Sequence, residues 1–341
     1  MIEGINHDLV SDWLKKEIPE LSMPLSFSLI AGGHSNLTFH CADSAGRSLV
    51  LRRPPLGEIL NSAHDMVREH KIISSLKNTT VPVPKTLGLC EDNSINGADF
   101  YTMDFVEGDV LNDSIISSSL SADFKQSISR DVVEILCSLH AIDPGDVGLG
   151  DLGRMDGYLS RQIKRWVAQW DASKTHEIPE MEESCELLLQ NLPEQIGSAI
   201  VHGDFRLGNM IVSGGYVRAV LDWELCTLGD PLADLGYVLN NWLTLEEVPE
   251  LGEGDQAPTA AGGFFSRDEF LDAYANKTGR DLSKINYYRA FSHWRLAAIG
   301  QGVYKRYLVG AMGSERDIDL KKQKDSVSRR AAAALELLST R

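Results

Sequence analysis

The stretch from Val201 to Glu224 constrains this chain more than any other. His202, Asp204 and Asn209 stand in an H-x-D-x-x-x-x-N pattern, and Asp222 follows after a short apolar interval. Met210 to Val212 and Val217 to Leu221 are apolar, β-branched runs separated by Gly214-Gly215, the signal of a two-residue hairpin turn. A turn there makes Ser213 face Tyr216 and, counting back, sets Asn209 opposite Val220. Asp222 then shares the face of Asn209 on its diagonal, where side-chain origins lie about 7–8 Å apart. Magnesium takes oxygen ligands at about 2.0–2.1 Å, so both side chains can converge on one ion. Asp204 precedes the hairpin on a loop, the usual place for catalytic groups. The plainer alternative is a hairpin with polar residues at its open end.

These residue types suit phosphoryl transfer. That chemistry needs a carboxylate near the attacking hydroxyl, with an amide oxygen and a second carboxylate on the magnesium that bridges the nucleotide phosphates. Asp204 is the candidate general base or hydroxyl-orienting group, and Asn209 and Asp222 are the candidate metal ligands. His202 is read as a packing residue of the loop. In an extended chain Glu224 shares the face of Asp222 and is a candidate for a second metal or for substrate. Asp234 is expected to brace the loop through backbone N–H bonds.

Composition narrows the alternatives. A net charge of −16 argues against nucleic acid, whose binders carry basic footprints. No apolar run approaches the ~20 residues of a membrane helix. Met1 to Gly4 has neither a basic start nor an apolar signal core, so export is not expected. The five scattered cysteines lack metal-ligand spacing and read as reduced thiols, which points to the cytoplasm.

The fold class read from the pattern is α+β. Phe27 to Ile30, Leu37 to Ala42, Ser48 to Arg53, Lys85 to Leu89 and Phe100 to Phe105 read as strands. A helix over Ser62 to Leu76 completes an N-terminal lobe, 1–106. The remainder, 107–341, reads as mainly helical. There Phe124, Ile128, Val132, Ile135, Leu136 and Leu139 mark one buried helix stripe behind a Ser121 cap. Asp230-Pro231 opens a further helix, and Leu243 to Gly263 reads as a mobile loop.

The Val201–Glu224 segment resembles the catalytic core of the aminoglycoside phosphotransferase and choline kinase-like family, which has the protein-kinase-like fold. The closest resemblance is to kinase-like domains that also occur fused to acyl-CoA dehydrogenases. Gly32-Gly33-His34-Ser35-Asn36, Leu51 to Pro55, Met103 to Gly108, Gly157-Tyr158 with Arg161-Gln162 and Arg165-Trp166, and Leu221 through Leu235 carry the likeness. The resemblance implies a bilobal fold whose first lobe is a five-stranded antiparallel sheet plus a helix. It also implies ATP and Mg2+ as cofactors and a small-molecule hydroxyl as acceptor.

On that basis Gly32, Gly33, Ser35 and Asn36 become a candidate phosphate loop, since a tight turn can offer backbone N–H groups to phosphate. Arg52 takes the place of the phosphate-binding lysine, with Glu69 as its partner, and Arg53 points to the other face; the residues alone leave open which of the two faces the nucleotide, and the resemblance favours Arg52. Met103 and Phe105 resemble the interlobe linker that covers the adenine, where main-chain recognition does not separate ATP from GTP. For the acceptor, Arg161, Arg165 and Arg295 lie in basic stretches beside aromatic residues. Cations beside apolar rings suit an anionic acceptor such as a hydroxyacyl-CoA or hydroxy acid; pairing with surface acids is the plainer reading. An aminoglycoside acceptor, and a pseudokinase that only binds nucleotide, are the other readings.

Overall fold

The computed structural model describes residues 2–31, 36–56, 64–250, 257–310 and 319–340. The chain divides into two compact units, 1–109 with 218–225, and 110–217 with 226–341. The division is therefore not the single boundary after Val106 read from the sequence, because residues 218–225 return to the first unit.

In the first unit, β1 (Ser26–Ala31), β2 (Leu37–Ala42), β3 (Ser48–Arg53), β4 (Thr86–Cys90) and β5 (Phe100–Asp104) form one antiparallel sheet in the order β1-β2-β3-β5-β4. Each strand falls within a residue of its sequence expectation at either end. Helix α2 (Met66–Leu76) starts at Asp65, whose carboxylate accepts from the Arg68 N–H; the expected start at Ser62 lies outside the described residues. Two helices were not anticipated, α1 (His7–Glu17) and the single turn α3 (Asn93–Asn96). Val10 and Leu14, four apart on α1, bury themselves with Phe39, Leu51 and Phe100 in the core of this unit. That spacing of Val10 and Leu14 is visible in the sequence.

A short strand, β6 (Asp109–Val110), and one helical turn, α4 (Ser114–Ser118), lead into the helices of the second unit. These are α5 (Ala122–Ala141), α6 (Tyr158–Ser173), α7 (Pro179–Gln190), α8 (Leu232–Asn240), α9 (Arg267–Thr278), α10 (Ile285–Leu308) and α11 (Leu320–Ser339). Ser121 caps α5 by accepting from the Phe124 N–H, and Ile128, Val132, Leu136 and Leu139 are buried. Phe124 is 43% exposed, outside the stripe assigned to it; its ring lies against Gly215, where an added Cβ would come within 2.8 Å. The Asp230 carboxylate accepts from the Leu232 N–H at the start of α8 and from the Tyr288 hydroxyl of α10. Gly236 lets α8 meet α10 closely: a Cβ there would stand 2.7 Å from the Tyr288 carbonyl carbon.

The segment read as a mobile loop is tied down at both ends. Trp242 donates its indole N–H to the Phe265 carbonyl, and Thr259 its hydroxyl to the Leu243 carbonyl. Short 3-10 turns occupy Leu245–Glu250 and Pro258–Ala261; residues 251–256 lie outside the described residues. Among the described residues no helix is long and apolar enough to cross a membrane.

Candidate active site

In the second unit, β7 (Ala199–Val201) pairs with β10 (Thr227–Gly229) and delivers the chain into the His202–Asn209 loop. The buried Asp234 carboxylate receives the N–H groups of His202 at 2.7 Å and Gly203 at 2.8 Å. Burial alone would raise its carboxyl, but hydrogen bonding from His140 and nearby positive charge outweigh that and hold it below the ordinary carboxylate range. The brace expected of Asp234 is thus present. From α10, Arg295 donates to the Gly203 carbonyl at 2.9 Å and lies 5.3 Å from the centre of the Tyr237 ring.

This frame displays Asp204. Its Oδ1 accepts from the Tyr237 hydroxyl and from Arg206 Nε at 3.3 Å, and its Oδ2 accepts from Asn209 Nδ2 at 2.7 Å. The same Asn209 nitrogen donates to the Asp204 carbonyl at 2.9 Å. Asn209 therefore turns its nitrogen toward Asp204 and its amide oxygen the other way, the orientation a cation requires. The 3-10 turn Leu207–Asn209 precedes β8 (Met210–Ser213), and Gly214 and Gly215, at φ 62° and 80°, make the expected turn into β9 (Tyr216–Val220).

In the first unit a second polar group surrounds Arg52. Arg52 Nε donates to Glu69 Oε2 at 3.1 Å, and its terminal nitrogen donates to Asp222 Oδ1. Glu69 Oε1 accepts from the Trp223 N–H at 3.3 Å. Both oxygens of a side chain 1% exposed thus face donors, the arrangement of an ionised carboxylate, although burial pushes Glu69 up. Burial also works against the Arg52 charge, but Glu69, Tyr101 and Asp222 outweigh it and hold the guanidinium above its ordinary range. Arg53 faces the other way and donates to the carbonyls of Gly4, Pro54 and Asn96, so its role is to tie down the chain. The two neighbouring arginines thus differ in their partners, carboxylates for Arg52 and main-chain carbonyls for Arg53.

Asp222 has φ 64°, and among the described residues it is the one non-glycine residue with positive φ. Such a conformation costs of order 1–3 kcal/mol and persists where surrounding bonds impose it. The extended chain expected through Glu224 is corrected here: Trp223–Leu225 is a 3-10 turn, held by Trp223 Nε1 on the Val220 carbonyl. The turn sends Glu224 to Asn36, whose Nδ2 lies 3.2 Å from Glu224 Oε2, and to His64 at 3.8 Å. His64 in turn bonds Asn36 Oδ1 at 2.8 Å.

Other expectations have more varied outcomes. Gly32, Gly33 and Ser35 lie outside the described residues. Met103 sits inside β5, paired with Val50 and Thr86, whereas Phe105 is past the strand and 39% exposed. The main-chain groups past the ladder therefore begin after Asp104, and Met103 offers only a buried side chain. Arg161 donates to the Arg154 carbonyl, and Arg165, exposed, lies over Trp166. Arg295 is buried against the loop instead, because Tyr287, Tyr288, Phe291 and Trp294 of α10 are core residues. The three arginines do not form one cationic surface. Tyr237 and His64 were missed altogether.

Among the described residues no three His, Cys, Asp or Glu side chains converge on a metal position.

Residues 26–270 match the phosphotransferase enzyme family. Acyl-CoA dehydrogenase family member 10 of Mus musculus is 38% identical over 91% of this chain and 29% of its own length. The chain thus spans less than a third of that relative. A candidate aminoglycoside phosphotransferase from Ralstonia eutropha JMP134 has 32% identity and a TM-score of 0.79, covering 96% of this chain and 98% of its own. The kinase APH(2")-IIa, solved with streptomycin and ATP, superposes with a TM-score of 0.60 over 95% of each chain at 17% identity, which speaks to the fold alone. The chain belongs to the phosphotransferase enzyme family and is a protein-kinase-like phosphotransferase with a hydroxyl group as acceptor.

Proposed function

We propose that this chain transfers the γ-phosphoryl group of ATP, with magnesium, to a hydroxyl of a small acyl compound, a hydroxyacyl-CoA or a hydroxy acid. The observation that carries the kinase reading is the Asp204 carboxylate, accepting from Tyr237, Arg206 and Asn209 in a loop bound to Asp234. A bound Mg-nucleotide supplies the phosphoryl group and neutralises charge developing on it. Asn209 and Asp222 are the residues that would hold the metal, and Arg52 would steady the phosphates. Asp204 orients the acceptor hydroxyl and takes its proton at Oδ2, which faces one donor where Oδ1 faces two. An intact Asp204, Asn209 and Asp222 set argues against a pseudokinase.

The acyl acceptor is supported by the relatives' names, since Arg295, one of the basic residues read as facing the acceptor, is buried against the Gly203 carbonyl instead. An ADP-release screen over hydroxyacyl-CoAs, hydroxy acids, aminoglycosides, choline and sugars tests it. Saturable turnover is expected on a hydroxyacyl compound. Turnover on an aminoglycoside, favoured by the solved neighbours, with none on any acyl compound, overturns the acceptor but leaves the kinase reading standing.

Arg52 and Arg53 give a second test. Titrating ATP against Arg52→Ala should show weakened affinity, whereas Arg53→Ala should keep its affinity and lose ~1–3 kcal/mol of stability through unpaired carbonyls. Equal loss of affinity in both variants contradicts the phosphate role of Arg52.

A further inference from the structure

A cavity of about 380 Å³ lies in the second unit between the end of α8, the first half of α10 and α11 from Ser326 onward. It contains neither Asp204 nor Asp222. Its walls follow helical spacing, with Asn286, Arg289 and His293 on α10 and Ser326, Arg329, Arg330 and Ala333 on α11. Both stripes lie beyond residues 26–270 that match the family, so the family match does not account for the cavity.

Its charge is anomalous. The chain carries −16 overall, yet four arginines and two glutamates line this cavity and leave two positive charges in excess. Arg267 and Glu247 satisfy each other through bonds of 2.8 and 3.0 Å. Arg289 donates only to the neutral Asn240 amide, at 3.0 Å. One terminal nitrogen of Arg329 and Nδ1 of His293 are buried without a hydrogen-bond partner. Buried donors left unpaired are costly, and several cations sharing one wall repel. Burial and then Arg267 pull Arg289 down to about 10, and burial with Arg330, Arg289 and Arg267 pulls His293 down to about 3. An uncharged imidazole still offers an N–H.

We propose that this cavity binds a phosphate monoester, distinct from the nucleotide, with Arg289, Arg329 and His293 as its donors. A phosphate monoester carries about −1.5 to −2 at neutral pH and three acceptor oxygens, matching the excess charge and the unpaired donors. Guanidinium groups bind such oxygens by charge-assisted hydrogen bonds. A carboxylate has one charge and two oxygens, and leaves a cation unmatched.

The test is calorimetry on the full chain with glycerol 3-phosphate, inorganic phosphate and butyrate, using wild type, Arg289→Gln, Arg329→Gln and, as a control for the nucleotide side, Arg52→Ala. Glycerol 3-phosphate should bind the wild type and Arg52→Ala alike. It should bind each cavity variant at least roughly tenfold more weakly, the loss of one charge-assisted bond of ~1.5 kcal/mol. Inorganic phosphate binding as tightly as the ester, and lost in the same variants, supports a site for phosphate from either source. Unchanged binding in both cavity variants, loss only in Arg52→Ala, no binding to wild type, or butyrate binding as tightly as phosphate, each overturns the assignment.

Discussion

Asp204→Asn is expected to lower turnover by about 10²–10⁴-fold on whichever acceptor is active, the usual contribution of a positioned acid or base. Nucleotide affinity should survive. An asparagine at 204 can place its nitrogen against Tyr237, whose hydroxyl turns to accept, and keep its oxygen on Asn209 Nδ2, giving up the bond from Arg206. The amide oxygen of Asn209 then stays where the metal needs it. Steady-state ADP release alongside calorimetric titration of nucleotide separates the two effects. Turnover close to wild type in a pure preparation would sink the role given to Asp204.

At Asp222 the loss should fall on binding. Asparagine is the informative replacement, because it tolerates the left-handed conformation at φ 64° that alanine resists. Substituting groups behind a metal ligand costs 10–100-fold in metal affinity, so loss of the carboxylate itself should weaken magnesium-dependent nucleotide binding by at least ~100-fold. Titration with and without magnesium should show most of the metal's contribution lost, because a neutral amide oxygen replaces a charged one. Mg-ATP affinity that matches wild type removes Asp222 from the metal site.

Much of this fold was legible because local signals agreed with one another. The β-branched runs, the Gly214-Gly215 turn, the Ser121 cap and the spacing of Ile128, Val132 and Leu136 each point to the element that forms. Asp204, Asn209 and Asp222 stood out because they are close in sequence. What could not be read depends on partners far along the chain. Tyr237 reaches Asp204 across 33 residues, Arg295 reaches Gly203 across 92, and Glu69 turns the chain at Trp223 across 154. Alternation predicts a straight strand through Glu224, whereas the Trp223 indole on the Val220 carbonyl and the distant carboxylate of Glu69 accompany its bend. The basic and aromatic residues of α10 looked like one surface because composition does not tell which face of a helix is covered.

The return of residues 218–225 to the first unit bears on how the protein is made. Chains leave the ribosome from the N-terminus, and domains tend to fold as units during synthesis. Here the first unit lacks the Trp223 N–H and the Asp222 carboxylate until synthesis has passed residue 223. Through that interval Arg52 and Glu69 lack those two partners. A fragment ending at residue 109 would stay in that condition permanently, so the Arg52 cluster cannot be recovered whole by cutting the gene once.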